Sequence, residues 1–356
     1  MAPSIPRLHL FEIADQPWFP SFLRAYVQTG LTHTWTTCLP LLQPCSPATL
    51  VANILRRELG ASVSKYTYID FCAGAGGPTP FIERALNQQL GASSSAATST
   101  STRGSSSNSS SEGRTAPSYA AIASRDPPHD SSSSSPASKQ LAQDYDHSHN
   151  EHQRDQGVKF ILTDLHPHVE SWEKAARQSP YLAYVSEPVD AAAAPPDLII
   201  QNKAGGKGVF RLFNLAFHHF DDGLARAILK NTVETSDGFG IFELQSRTIS
   251  SFICCMLFGF FIFLIAPILY WWSPQILFFV YVIPVVPFVL VFDGVISSLR
   301  TRTADEVEVL LRTCGAGDTG DWVVRSGSET FLWPCGHLTW IICTKGDAGR
   351  DSRGTS

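Results

Sequence analysis

The sequence predicts an α/β domain built on a largely parallel sheet. Two observations indicate it. Short β-rich runs alternate with helical stretches between residues 157 and 247, and a glycine-rich turn directly follows the apolar strand Tyr66–Phe71. Such alternation is typical of a sheet with helices on both faces. A serine-rich segment and an apolar segment interrupt the pattern.

Residues 1–60 are predicted to form an N-terminal helical cap. The segment Trp18–Trp35 has apolar residues near helical spacing, and prolines stand before and after it. We expect this helix to pack against the core domain. A lid or a helix lying on a membrane surface is the alternative.

Residues 61–91 begin the core domain. The strand Tyr66–Phe71 carries Asp70 near its end, the turn Cys72–Pro78 follows, and the helix Pro80–Leu90 comes next. Glycines in such a turn let the backbone approach a ligand closely, and the helix N-terminus offers free N–H groups. The turn is therefore a candidate ligand cradle.

Residues 92–156 are dominated by serine and include the run Ser131–Ser135. A stretch of this composition buries too little apolar surface to offset its ordering entropy, so we predict a disordered surface insertion. His147, His149 and His152 lie in this tract, where histidines are usually solvated. We assign no metal site.

Residues 157–250 continue the domain. An acidic residue follows two of its strands, Asp164 after the second and Asp190 after the third. The first would accept hydrogen bonds from ribose hydroxyls, and the second is well placed for an adenine edge. The predicted strands are Val158–Thr163, Leu182–Ser186, Val209–Ala216 and Phe239–Leu244, and the predicted helices are His168–Gln178 and Asp222–Thr235.

Residues 251–293 contain two apolar runs, Phe252–Trp272 and Gln275–Phe292, without a charged residue in either. Each is about long enough to cross ~30 Å of hydrocarbon as a helix. We therefore predict an integral membrane protein with a transmembrane or re-entrant hairpin. Arg247 flanks one end and Arg300 and Arg302 the other, so the globular part is expected to face the cytosol.

Residues 294–346 are predicted to complete the domain with the helix Ala304–Thr313 and two β-like runs, Trp322–Arg325 and Leu338–Thr344. A short disordered tail, 347–356, is expected to follow.

The sequence of Tyr66–Thr79, YTYIDFCAGAGGPT, resembles motif I of class I S-adenosylmethionine-dependent methyltransferases. From about residue 65 to 345, the order of predicted strands and helices is similar to the order in that family's fold. The resemblance implies a Rossmann-like seven-stranded methyltransferase sheet and S-adenosyl-L-methionine as cofactor. Cys72 departs from the pattern, because the common motif has its first glycine there. By position, the resemblance implies cofactor contacts for Asp70, Cys72, Gly74, Gly76, Gly77, Asp164 and Asp190.

Three further segments, Phe210–Phe220, Phe239–Leu244 and Asp293–Arg300, look similar to a bacterial and fungal branch of that family. That branch also carries a membrane hairpin. The resemblance suggests an architecture and gives no substrate.

Other uses of such a turn fit less well. A dinucleotide-binding oxidoreductase would have G-x-G-x-x-G, and Thr79 stands at the third glycine. A cytosine-C5 methyltransferase needs a Pro-Cys nucleophile downstream, whereas Pro44-Cys45 precedes the turn and Pro334-Cys335 lies at the far end. With a net charge of −5 and no basic stripe, no nucleic-acid partner is expected.

The chain has eight cysteines and no C-x-x-C pair. This pattern disfavours a zinc site and a secreted disulfide framework, and it favours reduced thiols in a cytosol-facing protein.

Candidate catalytic residues are His218 and His219, just past the fourth strand, and Glu243, which closes the fifth. The histidine pair is equally compatible with a structural role. Glu243 or Arg247 could orient a polar head-group. Glu243 and Arg247 could instead pair with each other on the surface, and Asp293 is expected to be a helix-end charge in water.

Three functional hypotheses follow. The first is a membrane-anchored methyltransferase acting on a lipophilic or small-molecule acceptor, with membrane lipid as a partner. The second is a catalytically silent methyltransferase-like scaffold or cofactor sensor at the membrane. The third is a soluble enzyme whose apolar hairpin mediates dimerisation.

Overall fold

The computed structural model describes residues 5–101, 157–203 and 206–346. Two compact units result, one from Met1–Asn87 with Val158–Ser356 and the other from Gln88–Gly157. The disorder predicted for residues 102–156 and 347–356 falls outside the described residues.

Seven strands form one sheet in the order β3-β2-β1-β4-β5-β7-β6. Neighbours among β1 to β5 are parallel, whereas β7 is antiparallel to both β5 and β6. The predicted α/β class and seven strands are confirmed, and the sheet is mixed. The strands are β1 (Tyr66–Asp70), β2 (Phe160–Leu162), β3 (Leu182–Tyr184), β4 (Gly208–Asn214), β5 (Gly238–Glu243), β6 (Trp322–Leu332) and β7 (Gly336–Lys345).

The strand order reverses direction between β1 and β4. From β1 the chain adds β2 and β3 on one side, and then crosses back to place β4 on the other side of β1. In open α/β sheets, ligands bind outside the carboxyl ends of the strands at this switch point. The glycine-rich turn that follows β1 lies there.

Ten α-helices occur among the described residues. Several begin with side-chain caps: Ser46 accepts from Thr49, Asp221 accepts from Leu224, and Thr303 forms a capping box with Glu306. The helices are α1 (Ser21–Thr36), α2 (Pro47–Leu59), α3 (Thr79–Ser101), α4 (Val169–Ala176), α5 (Pro196–Lys203), α6 (Asp222–Thr235), α7 (Ile249–Leu269), α8 (Pro274–Leu277), α9 (Val285–Arg300) and α10 (Ala304–Arg312).

The central strands are buried on both faces. Ile69 and Val209 belong to an apolar core that includes residues of α6 and α10. The alternate residues Tyr68 and Phe160 stack at 4.8 Å, and the Tyr68 hydroxyl donates to the carbonyl of Val63 at 3.0 Å. Near-continuous apolar strands of this kind are typical of parallel sheets covered on both sides.

Two helices differ from the sequence prediction. Helix α3 continues to Ser101, so the first ten residues of the predicted disordered insertion are helical. Alanines and the absence of proline there let an already nucleated helix continue. Helix α5 was not predicted because its eight residues carry little amphipathic pattern after Pro195.

The apolar hairpin consists of α7 and a bent pair of helices. Helix α8 runs into a π-helical turn, Phe278–Val282, and α9 follows a break before Val285. The two parts of the pair meet at 66°. The second predicted run is therefore not one straight helix, because Pro284 and Pro287 remove backbone donors there.

By length and composition, one helix among the described residues, α7, could cross a membrane, or two could if the bent pair counts as one span. Only 17% of the most apolar part of α7 is buried. Ile253, Phe260 and Ile268 are exposed on its surface. A helix that is apolar all round and mostly uncovered is unusual for a protein core.

Helix α1 packs on this hairpin. Leu23 and Val27 join a cluster with Ala266 of α7 and Val289 and Leu290 of α9. The expected packing of α1 against the core domain was therefore wrong. The apolar face of α1 contacts the hairpin, which is more apolar than the surface of the core domain. Packing on the hairpin therefore removes more apolar area from water.

Glycines bring α7 and α9 into close contact. A Cβ at Gly259 would lie 2.2 Å from Cγ2 of Val291, and a Cβ at Gly294 would lie 3.1 Å from Sγ of Cys255. Small residues at such positions let helix backbones approach, a common feature of helix pairs in membranes.

We predict that Gly259→Val destabilises the hairpin by about 1–3 kcal/mol, because the added methyls overlap Val291. Thermal unfolding in detergent should show a lower Tm. Leu264→Val, at an exposed position of the same helix, is the control and should change Tm little. Equal Tm values for the two variants would contradict the close packing.

Candidate functional site at the switch point

The glycine turn has a backbone that requires glycine. Gly74, Gly76 and Gly77 have φ values of +51°, +109° and +48°. Side chains with a Cβ rarely adopt this region. A Cβ on Gly74 would meet nothing within 4 Å, so conformation rather than crowding requires glycine there. The space next to Gly74 is therefore open.

Asp70 lies beneath the turn and fixes it. Its carboxylate accepts from the Thr79 hydroxyl, from the Asn214 amide at 3.3 Å and from the Cys72 backbone N–H at 3.1 Å. Only 1% of Asp70 is exposed. Burial raises its pKa to about 6, although these hydrogen bonds lower it. Asp70 therefore holds the turn in place from below.

Asp164 lies beside the same turn. One carboxylate oxygen accepts from the Gly74 N–H at 2.8 Å and the other from the His166 N–H at 2.9 Å. Asp190 is exposed, and its carboxylate accepts from the Ala192 N–H at 2.8 Å. The loop after β3 runs next to Asp164, whose carbonyl accepts from Val189.

The three acids converge on Cys72. Burial raises the pKa of its thiol well above the ordinary value, and the negative charges of Asp70, Asp164 and Asp190 raise it further. Cys72 is therefore a neutral thiol, and its half-buried side chain packs against the core. The residues that the sequence places at three strand ends meet at one sheet edge.

Two residues of this site, Trp172 and Asn214, were missed by sequence analysis. The Trp172 indole N–H donates to the Gly74 carbonyl at 2.9 Å from a fully buried position on α4. Asn214 donates to the Thr79 hydroxyl at 3.0 Å as well as to Asp70. Only the position of Asn214 at a strand end signalled a role.

The candidate catalytic pair His218 and Glu243 does meet. Nδ1 of His218 lies 2.9 Å from the Glu243 carboxylate, and both side chains are buried. Burial, with a smaller effect from Arg300, lowers the His218 pKa to about 3. Burial raises the Glu243 pKa to about 8. His219 is half-exposed and contacts Asp15 at 3.0 Å instead.

The N-terminal segment Arg7–Gln16 covers this pair. Glu12 accepts from the Ser297 hydroxyl at 2.9 Å and from Arg300 at 3.0 Å, and it lies 3.7 Å from Nε2 of His218. Glu12, His218 and His219 have donor atoms close enough for a cation. Arg300 already supplies a positive charge there.

Asp293 binds the same N-terminal segment. Its carboxylate accepts from the N–H groups of Ile13 and Ala14 at 2.7 and 2.9 Å, and it is 7% exposed. The expectation of a helix-end charge in water was therefore wrong. Asp293 lies within α9, where two backbone donors compensate its desolvation.

The flanking arginines are also buried. Arg247 pairs with Glu306 at 2.8 Å, so the suggested pair with Glu243 does not form. Arg300 binds Glu12, and Arg302 binds Asp222 at 2.8 Å. Because these cations are engaged inside the protein, they carry little information about membrane orientation.

A cavity of about 460 Å³ adjoins the sheet edge. Leu215 and Leu244, which directly follow β4 and β5, form its inner end, and α1, α7 and α9 form its walls. Leu215 has φ of +51°, an uncommon conformation for a branched side chain. Neither His218 nor Glu243 lines this cavity.

No family model and no curated protein matches the chain. Among solved structures, it is similar to a crystal structure titled SAM-dependent methyltransferase from Anabaena variabilis ATCC 29413. That match has 14% sequence identity and a TM-score of 0.40, and it covers 96% of this chain and 98% of the other. A similarity this distant assigns neither an activity nor residue roles.

We predict that Asp70→Asn changes the pH dependence of stability. A carboxyl whose pKa rises from 3.8 to about 6 on folding stabilises the fold at low pH, and this contribution is lost as pH rises through 6. The free energy of unfolding of the native chain should fall relative to Asp70→Asn by about 3 kcal/mol between pH 4 and 7. Denaturant unfolding at several pH values measures it.

Asp318→Asn, at an exposed side chain with no capping bond, is the control. The pH dependence of Asp70→Asn is compared with that of this surface variant. If the free energy of unfolding of Asp70→Asn differed from that of the native chain by the same amount at every pH, the Asp70 carboxylate would not be desolvated.

Proposed function

We propose that this protein is an S-adenosylmethionine-dependent methyltransferase attached to a membrane, acting on a lipophilic or small-molecule acceptor. One observation carries the proposal: three positive-φ glycines at the switch point of a doubly wound sheet, with Asp164 bonded to the first of them. Glycine-rich turns at such a switch point, with an acid after the next strand, are typical of nucleotide-binding sheets. The titled activity of the Anabaena variabilis protein is compatible with it.

The residues at the turn fit this cofactor. The open space at Gly74 and the N-terminus of α3 would receive the methionine part. Asp164 would exchange its bonds within the protein for ribose hydroxyls, and Asp190 is exposed beside it. Cys72 does not block the turn, because its side chain packs downward on the core. When bound, the cofactor supplies an electrophilic methyl group.

Alignment of the acceptor is then the main task of the chain. Asn214 links the two sides of the site: its amide binds Asp70 and Thr79 under the turn, and the next residue, Leu215, lines the cavity. A methyl donor on the turn and an acceptor in the cavity would meet across the end of β4.

Membrane attachment is supported by the exposed apolar surface of α7 and by Trp271 and Trp272 at the hairpin tip, 73% and 64% exposed. Tryptophans favour the membrane–water interface. The cytosolic orientation of the globular part stays a prediction. Dimerisation through the hairpin is the competing use of the same surface.

A catalytically silent scaffold or cofactor sensor is the second candidate. The burial of His218 and Glu243 under Glu12 favours it, because neither reaches the cavity and so neither is positioned to take a proton from an acceptor. Transfer of labelled methyl to lipid extracts would distinguish an enzyme from a scaffold.

We predict that the purified chain binds S-adenosylhomocysteine and that Asp164→Ala weakens binding roughly tenfold or more, because two hydrogen bonds to a charged group are lost. Isothermal titration calorimetry measures both. Asp318→Ala removes an exposed carboxylate away from the turn and should bind normally. Absence of binding to the native chain would contradict the proposal.

We predict that the full chain stays in the membrane fraction after carbonate extraction, because a helix as apolar as α7 is expensive to return to water. Replacing Phe260 and Ile268 by serine should release part of it. Phe331→Ser, a core substitution outside the hairpin, controls for general destabilisation. Complete release of the native chain would instead favour the dimerising hairpin.

A further inference from the structure

The cavity beside the sheet edge is elongated. Its lining residues on α7 extend from Ser251 to Leu269, which is about 27 Å along a helix at 1.5 Å per residue. A volume of about 460 Å³ spread over that length makes a narrow channel. Its shape fits an extended chain better than a compact ring system.

The walls of the channel are mostly apolar. Phe258, Phe261 and Ile262 line it from α7. The hydroxyls of Thr29 and Thr34, which also line it, donate to backbone carbonyls of their own helix at 2.8 and 3.0 Å. An occupant would therefore need an apolar body.

The lining also contains polar residues, among them Tyr26, His33, Gln43 and Tyr270. Gln245 is the polar lining residue next to the end of β5. It follows β5 by two residues, lines the channel and is 8% exposed. Its backbone carbonyl accepts from Thr339, but its side-chain amide has no hydrogen-bond partner among the described residues. The atoms of this amide are not enclosed by the protein, so they are free to form hydrogen bonds with the polar group of a ligand in the channel.

We propose that this channel binds the methyl acceptor, and that the acceptor is a molecule with one extended apolar chain and a hydrogen-bonding end group. The chain lies along α7, and the end group contacts Gln245 at the sheet edge. The assignment as acceptor rests on the proposed function. The exposed surface of α7 makes the bilayer the source from which such a molecule enters.

Photolabelling tests the channel. The full chain is placed in phosphatidylcholine nanodiscs with a hexadecanol that carries a diazirine in mid-chain, and labelled residues are mapped by mass spectrometry. We expect labels on channel residues such as Tyr26 and Ile262. Labels confined to lipid-facing residues such as Ile253 and Ile268 would overturn the proposal.

A matched pair of variants tests occupancy. Ile265→Trp adds bulk inside the channel, and Ile268→Trp adds the same bulk at a position 72% exposed on the same helix. Channel labelling should fall roughly tenfold in the first and stay unchanged in the second. Equal labelling in Ile265→Trp and the native chain would overturn the proposal.

Gln245→Leu tests the polar end. The diazirine alcohol should label the native channel more than the matching alkane, and Gln245→Leu should remove this difference while the alkane still labels. A difference that survives in Gln245→Leu would overturn the role of Gln245. Circular dichroism melting checks that each variant folds.

S-adenosylhomocysteine binding to the same nanodiscs separates the two proposals. Channel labelling with cofactor binding supports both. Channel labelling without cofactor binding would contradict the proposed function and the identity of the occupant as a methyl acceptor. Cofactor binding without channel labelling would overturn the channel alone.

Discussion

The buried carboxylate of Asp70 joins three elements that are distant in sequence. It receives hydrogen bonds from the turn after β1, from the first residue of α3 and from the end of β4. Without a negative or strongly accepting group at this point, the Thr79 hydroxyl and the Asn214 amide would lose a shared partner in the protein interior. The positive-φ glycines belong to the turn whose first residue, Cys72, bonds to this carboxylate.

The same contact connects the turn to the hairpin. Asn214 binds Asp70, and Leu215 enters the apolar channel with an uncommon backbone conformation. Residues keep a strained backbone conformation of this kind where the surrounding structure holds them in it, and such residues are often at functional sites. On the other side, Glu12 and Asp293 attach the N-terminal segment to α9 by buried polar contacts. The C-terminal part of α9 is thus bonded to the N-terminal segment, whereas α7 remains mostly uncovered.

Local patterns made the fold predictable. The runs around Tyr68, Phe160 and Phe210 are apolar on both faces, and Asp222–Thr235 has clear helical periodicity, so strand and helix positions followed from the sequence. The turn, Asp70 and Asp164 were found because each stands at or just after a strand end, and Asp190 because it follows β3 in the next loop. Long-range partners were not predictable: nothing near Trp172 in sequence indicates a bond to Gly74. The burial of Asp293 and of the arginines was also missed, because their partners are distant in sequence: the N-terminal segment for Asp293 and Arg300, Glu306 for Arg247 and Asp222 for Arg302.

The central claim is that the glycine turn binds S-adenosylmethionine. A structure of the full chain in nanodiscs with S-adenosylhomocysteine tests it most directly. The account predicts ligand density over Gly74–Gly77, with the ribose beside Asp164 and the sulfur directed toward Leu215 and the channel. Density elsewhere, or an unchanged bond between Asp164 and Gly74 with no ligand at saturating concentration, would contradict it.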